Sequence, residues 1–291
     1  MNKTKTPKKL NGIRPFDVIL AIIMILFMLC IILPFVHIIA VSFSSNEYVV
    51  ANMVSLFPKK FTLLTYKSIM EDGAFFRAYG NTIIYTLVGT ALSLIVTAMG
   101  AYAMSTRRIV GHKIFSLMIT ITMFFSGGLI PTYLVISSYG LIDSRWAMIL
   151  PSLVSVWNFI IMRSFFVAYP HEIVESGLID GLQDAGVFFR LVLPTSKASL
   201  ATIGLYYAVS YWNSYLPARL YLRNEQLYPV QLLLQRLLTI ASQELPDSEE
   251  RVIVTSVRYA SILLTILPII CVYPFIQKYF VKGVMVGSIK G

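Results

Sequence analysis

Six stretches of this 291-residue chain carry almost unbroken apolar side chains, at 16–43, 81–105, 114–137, 146–168, 199–217 and 256–281. A helix needs about 20 mostly apolar residues to cross the hydrocarbon core of a bilayer. The pattern therefore predicts an all-α, polytopic membrane protein with six transmembrane helices. The fifth stretch is the most polar, because YYAVSYWNSY at 206–215 mixes tyrosines with small and amide side chains. The first follows a basic segment, and Ala40-Val41-Ser42 resembles a leader cleavage site. Leader apolar regions span only about 7–15 residues, so this much longer run is expected to remain as a span.

Six spans place both termini on one side. That side collects Lys3, Lys5, Lys8, Lys9 and Arg14, then Arg107, Arg108 and Lys113, and finally Lys278, Lys282 and Lys290. Excess Lys and Arg mark cytoplasmic loops, so both termini and the loop at 170–197 are expected in the cytoplasm. The predicted organisation is a basic N-tail at 1–15, a six-span membrane body at 16–281 and a C-tail at 282–291. The two long opposite loops, 44–80 and 218–255, are expected to be ordered: FPKKFTLLTYKSIM has a proline followed by an amphipathic pattern, and QLYPVQLLLQRLLTIASQEL reads as a short helix with leucines at helical spacing.

Composition agrees with the pattern: 57% of residues are hydrophobic and 13% charged, against about 25% charged in soluble domains. Net charge is +10. The basic N-tail reads as a membrane flank, and no nucleic-acid partner is expected. Cys30 and Cys271 fall within apolar runs, show no metal-ligand spacing and read as small buried hydrophobes.

What the spans lack is informative. Apart from Asp17 at an edge, none holds Asp or Glu, and His37 has no acidic partner in register, so it reads as a packing hydrogen bonder. Ion-driven carriers place carboxylates or histidines along their pathways. No G-x-x-x-x-G-K-[ST] phosphate loop occurs, the nearest cluster being GVMVGSIKG at 283–291, and no G-x-S-x-G or H-E-x-x-H motif appears. The chain is expected not to be an enzyme and to take its energy from another subunit.

The loop between the fourth and fifth stretches is unusual. VESGLIDGLQDAGVFFRLVLP, 174–194, holds three acids, three glycines and a closing proline. Pro170 starts a helix, Glu172 and Glu175 sit in its favourable first turn, and Gly181 ends it with a left-handed backbone. A second short helix is expected from Asp184, as cap, to about Leu191, with Pro194 as terminator. Ser176 and Gly177 would leave one side thin enough to enter a groove. A helix lying on lipid would carry Lys and Arg instead. The acids Glu172, Glu175, Asp180 and Asp184 favour docking to a basic protein cleft.

These residues carry a resemblance. Glu175-Ser176-Gly177, then Gly181 after three residues, then Leu191-Val192-Leu193-Pro194 after nine more, are similar to the E-A-A, G, I-x-L-P pattern of integral membrane subunits of bacterial ABC importers. Ser-Gly replaces Ala-Ala, Leu191 replaces isoleucine, and Leu182 stands where alanine is common. Asp180-Gly181 matches the sugar-importing branch. FPKKFTLLTYKSIM followed by NTIIYTLVGTALSL, together with YFVKGVMVGSIKG, resembles the maltose-type second permease subunit, in the branch called LplC-like or YtcP-like.

The resemblance implies the type I ABC importer permease fold with a cytoplasmic coupling helix, in the bacterial plasma membrane. It implies three kinds of partner: a second homologous permease, a dimeric ABC ATPase that binds the ATP and magnesium, and an extracellular solute-binding lipoprotein. This chain itself would hold no cofactor. Glu175 would meet a basic group of the ATPase, Asp180 and Gly181 would set the bend, and Leu193 and Pro194 would fix the return to the fifth span. The segment 283–291 would reach toward the ATPase. For the solute path, Tyr206, Ser210 and Asn213 form a polar stripe at helical spacing, as do Ser155 and Asn158, and Trp157, Tyr211 and Trp212 supply aromatic faces. Such stripes also join helices to one another. Ser126-Gly127-Gly128 and Pro131 would either bend the third span at a gate or only permit close packing. Readings left open are a permease for amino acids, peptides or another solute, a membrane scaffold or sensor bound to an ATPase, and a polytopic enzyme, for which no catalytic constellation is present.

Overall fold

The computed structural model describes residues 15–71, 73–106, 109–242, 256–272 and 274. The predicted tails, most of the basic N-tail and all of 282–291, lie outside the described residues, as does the end of the sixth stretch. Among the described residues the regular structure is helical, apart from one isolated bridge between Ser44 and Phe61. The described chain falls into two units, residues 15–68 with 256–263, and residues 69–242 with 264 onward.

The first unit is built on α1 (Pro15–Ser42), whose side chains are exposed along most of its length and buried at Ala40, Val41 and Ser42. α2 (Asn46–Val50) and the start of α3 (Leu64–Glu71) follow. The chain after α1 is tied back to it: Ser44 Oγ donates to the Ala40 carbonyl at 2.6 Å and accepts from the Lys59 N–H at 3.0 Å. Tyr66 Oη donates to Ser42 Oγ at 2.9 Å, and Phe43 stacks on Phe61 with centroids 5.5 Å apart. His37 is a packing hydrogen bonder, as expected: its Nδ1 donates to the Ser55 carbonyl at 2.8 Å.

The second unit contains α4 (Gly73–Ala103), α5 (His112–Phe124), α6 (Leu129–Ser138), α7 (Arg145–Ile149), α8 (Val156–Val167), α9 (His171–Ile179), α10 (Asp184–Val187), α11 (Leu193–Thr195), α12 (Lys197–Trp212), α13 (Tyr215–Tyr221) and α14 (Val230–Ser242). A last apolar helix, α15 (Ser256–Val272), begins in the first unit and ends in this one. α4 is the axis, packed against α12 and α8. Small residues permit the approach: a Cβ on Gly89 would lie 2.6 Å from the Tyr211 ring, and one on Gly100 would lie 3.0 Å from Phe159. α14 is the helix expected in the second long loop, and the amphipathic pattern of the first forms α3.

Among the described residues two helices are individually long and apolar enough to cross a membrane, α1 with 28 residues and α4 with 31. The third and fourth predicted spans are not single helices. α5 and α6 meet at 116°, and the α7 segment, extended by a 3₁₀ turn to Ser152, meets α8 at 50°. The first break follows from Phe125-Ser126-Gly127-Gly128, where Phe125 is extended and Gly128 has φ +87°. The second follows from Pro151, which lacks an N–H, and from Ser155, an extended residue whose Oγ caps α8 by accepting from the Asn158 N–H. The fifth predicted span also stops early, at Trp212, before a turn at Asn213 and Ser214. Cys30 and Cys271 are free and exposed, not buried, because both sit on outward faces of apolar helices.

Candidate functional site

The loop at 170–196 folds into a bent knob at the C-terminal end of α4. Pro170 precedes α9, with Glu172 in the first turn and Glu175 one turn further along. α9 ends in a complete Schellman motif. The Leu182 N–H donates to the Gly177 carbonyl at 3.0 Å, the Gly181 N–H donates to Leu178 at 3.1 Å, and Gly181 has φ +82°. That backbone is glycine's region, so the bend expected at Asp180-Gly181 is built there.

The second arm differs from expectation in two respects. Asp184 is the first residue of α10 and not its cap, because the extended residue before it is Gln183. Pro194 does not terminate the arm either. A π turn over Phe188–Val192 loosens the helix ahead of it, and α11 carries the proline within its first turn, where a missing N–H costs nothing. The thin side at Gly177 also points inward: a Cβ there would lie 2.6 Å from Leu191 Cδ1 and 3.3 Å from Val187 Cγ2. Gly177 lets the two arms close on each other.

The knob's apolar side is seated under the helices. Val187, Phe188 and Val192 are buried in one cluster with Ala98, Ala101, Tyr102, Met162 and Phe166. Tyr102, Phe166 and Phe188 form a ring trio with centroids 4.9 to 6.3 Å apart. Tyr169 Oη and Thr195 Oγ1 lie 2.9 Å apart and tie the two ends of the loop together. Leu191 and Leu193 pack against this cluster, and Pro194 is exposed. Glu172, Glu175, Ser176, Asp180 and Asp184 all lie on the exposed side. Stiff support on one face and acids on the other suit a knob that seats in a basic socket.

Beyond the knob, the bent α7–α8 pair is held by α12. Tyr211 Oη donates to the Ile149 carbonyl at 3.1 Å and lies 3.0 Å from Ser93 Oγ. Tyr207 Oη accepts from the Ser155 N–H at 2.9 Å and lies 2.7 Å from Thr97 Oγ1. Two tyrosines one turn apart thus satisfy backbone groups on both sides of the break, which a membrane interior requires. The sequence reading passed over Tyr207, Ser93 and Thr97. Their signal was the four-residue spacing of Gly89, Ser93 and Thr97, matched by Tyr207 and Tyr211.

The residues expected along a solute path are split by this packing. Tyr211, Trp212 and Asn158 are buried, and Tyr206 is half-buried. Ser210, Asn213 and Trp157 are exposed, and the Asn213 amide bonds back to the Val209 carbonyl at 2.9 Å. Ser155 is occupied as cap and donor.

At the opposite end of α4, the turn before α14 is pinned. Asn81 Nδ2 donates to the Gln226 carbonyl at 2.7 Å, Tyr85 Oη donates to Leu227 at 2.8 Å, and Thr82 Oγ1 accepts from the Val230 N–H at 2.8 Å. Asp143 Oδ1 accepts from the N–H groups of Arg223 at 2.9 Å and Asn224 at 2.7 Å. Those two bonds, Asn224's first, hold the Asp143 carboxyl below the ordinary carboxylate range.

Residues 109–286 match the family described as binding-protein-dependent transport system inner membrane component. The polygalacturonan/rhamnogalacturonan transport system permease protein YtcP of Bacillus subtilis (strain 168) is 39% identical over 283 residues, covering 96% of this chain and 99% of that one. Protein LplC of the same organism is 40% identical over 264 residues, 89% of this chain and 90% of its own. A chain in the crystal structure of a bacterial ABC transporter that imports the acidic polysaccharide alginate is 33% identical, with TM-score 0.86 over 94% of this chain and 100% of that chain.

Proposed function

Because this chain belongs to the family of binding-protein-dependent transport system inner membrane components, we propose that its 170–196 knob is the element through which an ATPase drives it. The chain is a membrane-embedded permease subunit of a carbohydrate ABC importer, forms part of the translocation path and is not itself an enzyme. In our reading α1, α4, the α5–α6 pair, the α7–α8 pair, α12 and α15 make six crossings of the bacterial plasma membrane. Both tails and the knob then face the cytoplasm, in keeping with the placement of Lys and Arg. The chain pairs with a second homologous permease, on a dimeric ABC ATPase that binds ATP and magnesium, and receives its cargo from an external solute-binding lipoprotein.

One observation carries this reading. The knob is stiffened by its Schellman bend and the Gly177–Leu191 contact, is seated on α4 and α8 by buried aromatics, and leaves Glu175 and its neighbouring acids exposed. Force on a rigid element so rooted is passed to the helices above it. Glu175 meets a basic group of the ATPase, Gly181 holds the bend, and Leu193 and Pro194 set the return into α12. Cargo is an oligosaccharide, in line with the polysaccharide systems named for the relatives. Reconstituting the assembled importer with Gly181→Val tests this. Uptake per ATP hydrolysed is expected to fall about tenfold, within the usual range of coupling energies. Uptake and coupled hydrolysis equal to wild type would overturn the role of the knob.

A further inference from the structure

α13 and α14 enclose a groove of about 420 Å³ at the end of α4 away from the knob, within the same unit. That volume is in the usual range of small-molecule sites, about 300–1,000 Å³. Its walls carry Tyr215, Arg219, Tyr228, Gln235, Arg236 and Thr239. The floor is apolar, with Leu222 and Leu232 buried.

Both guanidinium groups are held by phenols. Arg219 Nη1 donates to Tyr215 Oη at 2.6 Å. Arg236 Nη2 donates to Tyr228 Oη at 2.9 Å, with Arg236 Cζ 4.5 Å from the Tyr228 ring centroid. Arg236 also pairs with Glu225, whereas Arg219 forms no ion pair among the described residues. A guanidinium has five N–H donors in a rigid fork, and Arg219 spends one on Tyr215. The remainder of a fixed, charged fork stands beside an amide, a hydroxyl and two aromatic rings.

A neutral sugar needs rings and amides but no uncompensated guanidinium. A carboxylate matches the fork with two parallel hydrogen bonds. We propose that this groove is a recognition site for the carboxylate-bearing units of an acidic oligosaccharide, with Arg219 as the carboxylate anchor. Arg236, its charge met by Glu225, holds the Tyr228 ring in place as a wall, and Gln235 and Thr239 face the sugar hydroxyls. This rests on the carbohydrate-permease reading and narrows it to anionic cargo.

The test uses the permease–ATPase complex in lipid nanodiscs, with the solute-binding lipoprotein added only for docking and uptake, titrated with trigalacturonate and with the neutral trimer maltotriose. Wild type is expected to bind trigalacturonate at least about tenfold more tightly than maltotriose, with an affinity that weakens as salt rises. Arg219→Gln is expected to remove that preference at unchanged maltotriose affinity, and Arg219→Lys to restore part of it, keeping charge without the fork. Equal binding of both trimers, or trigalacturonate affinity indifferent to Arg219→Gln, overturns the groove assignment and leaves the permease reading standing. Weakened docking of the binding protein in Arg219→Gln at unchanged trigalacturonate affinity gives the groove to a protein partner and also overturns it. Failure of wild type to bind or take up either trimer overturns this proposal together with the oligosaccharide reading above.

Discussion

The hydroxyl of Tyr207 accepts the backbone N–H of Ser155 at 2.9 Å, at the break between the α7 segment and α8. Pro151 and the extended Ser155 make that break, and an interrupted backbone in a bilayer must find partners within the protein. Tyr207 provides one and Tyr211, at the Ile149 carbonyl, provides the other. Removing the first hydroxyl leaves a part-buried N–H without a partner, at a cost of about 1 kcal/mol. Tyr207→Phe is therefore expected to lower the melting temperature of the purified complex. Ser210→Ala, on the exposed side of α12, is expected to leave it unchanged. Equal melting curves for all three proteins would contradict the role given to Tyr207.

Gly89 and Gly80 lie on one helix and should respond oppositely. A Cβ at Gly89 would sit 2.6 Å from the Tyr211 ring, which is also bonded to Ile149 and cannot retreat cheaply. Gly89→Ala is expected to destabilise by about 1–3 kcal/mol through overpacking. Nothing lies within 4 Å of a Cβ at Gly80. Gly80→Ala should be neutral or stabilise by up to about 1 kcal/mol through helix propensity. Thermal unfolding of the two variants separates these outcomes.

In the knob, two glycines four residues apart have different reasons for being glycine. At Gly177 the clash is with the end of a flexible leucine side chain, so Gly177→Ala should be tolerated once Leu191 changes rotamer. At Gly181 there is open space but φ is +82°, and an L side chain there costs about 1–2 kcal/mol. Gly181→Ala is expected to reduce coupled uptake while Gly177→Ala retains it. Uptake assays on the reconstituted importer would show the reverse order if crowding, not backbone, governs the bend.

Charge reversal at Glu175 probes the exposed side of the knob without touching its interior. Glu175→Lys should leave the melting temperature of the isolated permease unchanged and weaken its co-purification with the ATPase. Full retention of the ATPase on that variant would remove Glu175 from the docking surface.

Asp143 makes a pH-dependent clasp. Its carboxyl is held below the ordinary value by the N–H groups of Asn224 and Arg223, so the ionised form is the one the fold favours. The stability it contributes is fully present above the unfolded carboxylate value of about 3.9 and is lost as pH falls through the lower folded value. Asp143→Ala is expected to melt below wild type at pH 7, with the gap closing as pH drops beneath the carboxylate range. A gap that is constant across that range would show that the charge is not involved.

How far the sequence could be read varied with the kind of signal. Gly181 was legible because a left-handed stop after an apolar turn leaves few residue choices, and α14 was legible from leucine spacing. Asp184 and Pro194 depart from their expected roles because Gln183 takes the extended position before α10 and the second arm runs on past Val187. The π turn at Phe188–Val192 lets one arm continue through the proline. That the thin side at Gly177 faces inward is not legible locally, because its neighbour across the bend, Leu191, is fourteen positions away.

From its residues alone, this chain determined that it lives in a membrane, where its long apolar runs fall, and that an acidic bent loop lies between two of them. Those follow from local chemistry: the length needed to span a bilayer, the scarcity of buried charge and the backbone freedom of glycine. Only the folded arrangement decided that two runs break, at 116° and 50°, and that Tyr207 rather than Tyr206 or Ser210 holds one break together. Lipid is as apolar as a helix interface, so hydrophobic pattern marks what enters the membrane without marking which face turns inward.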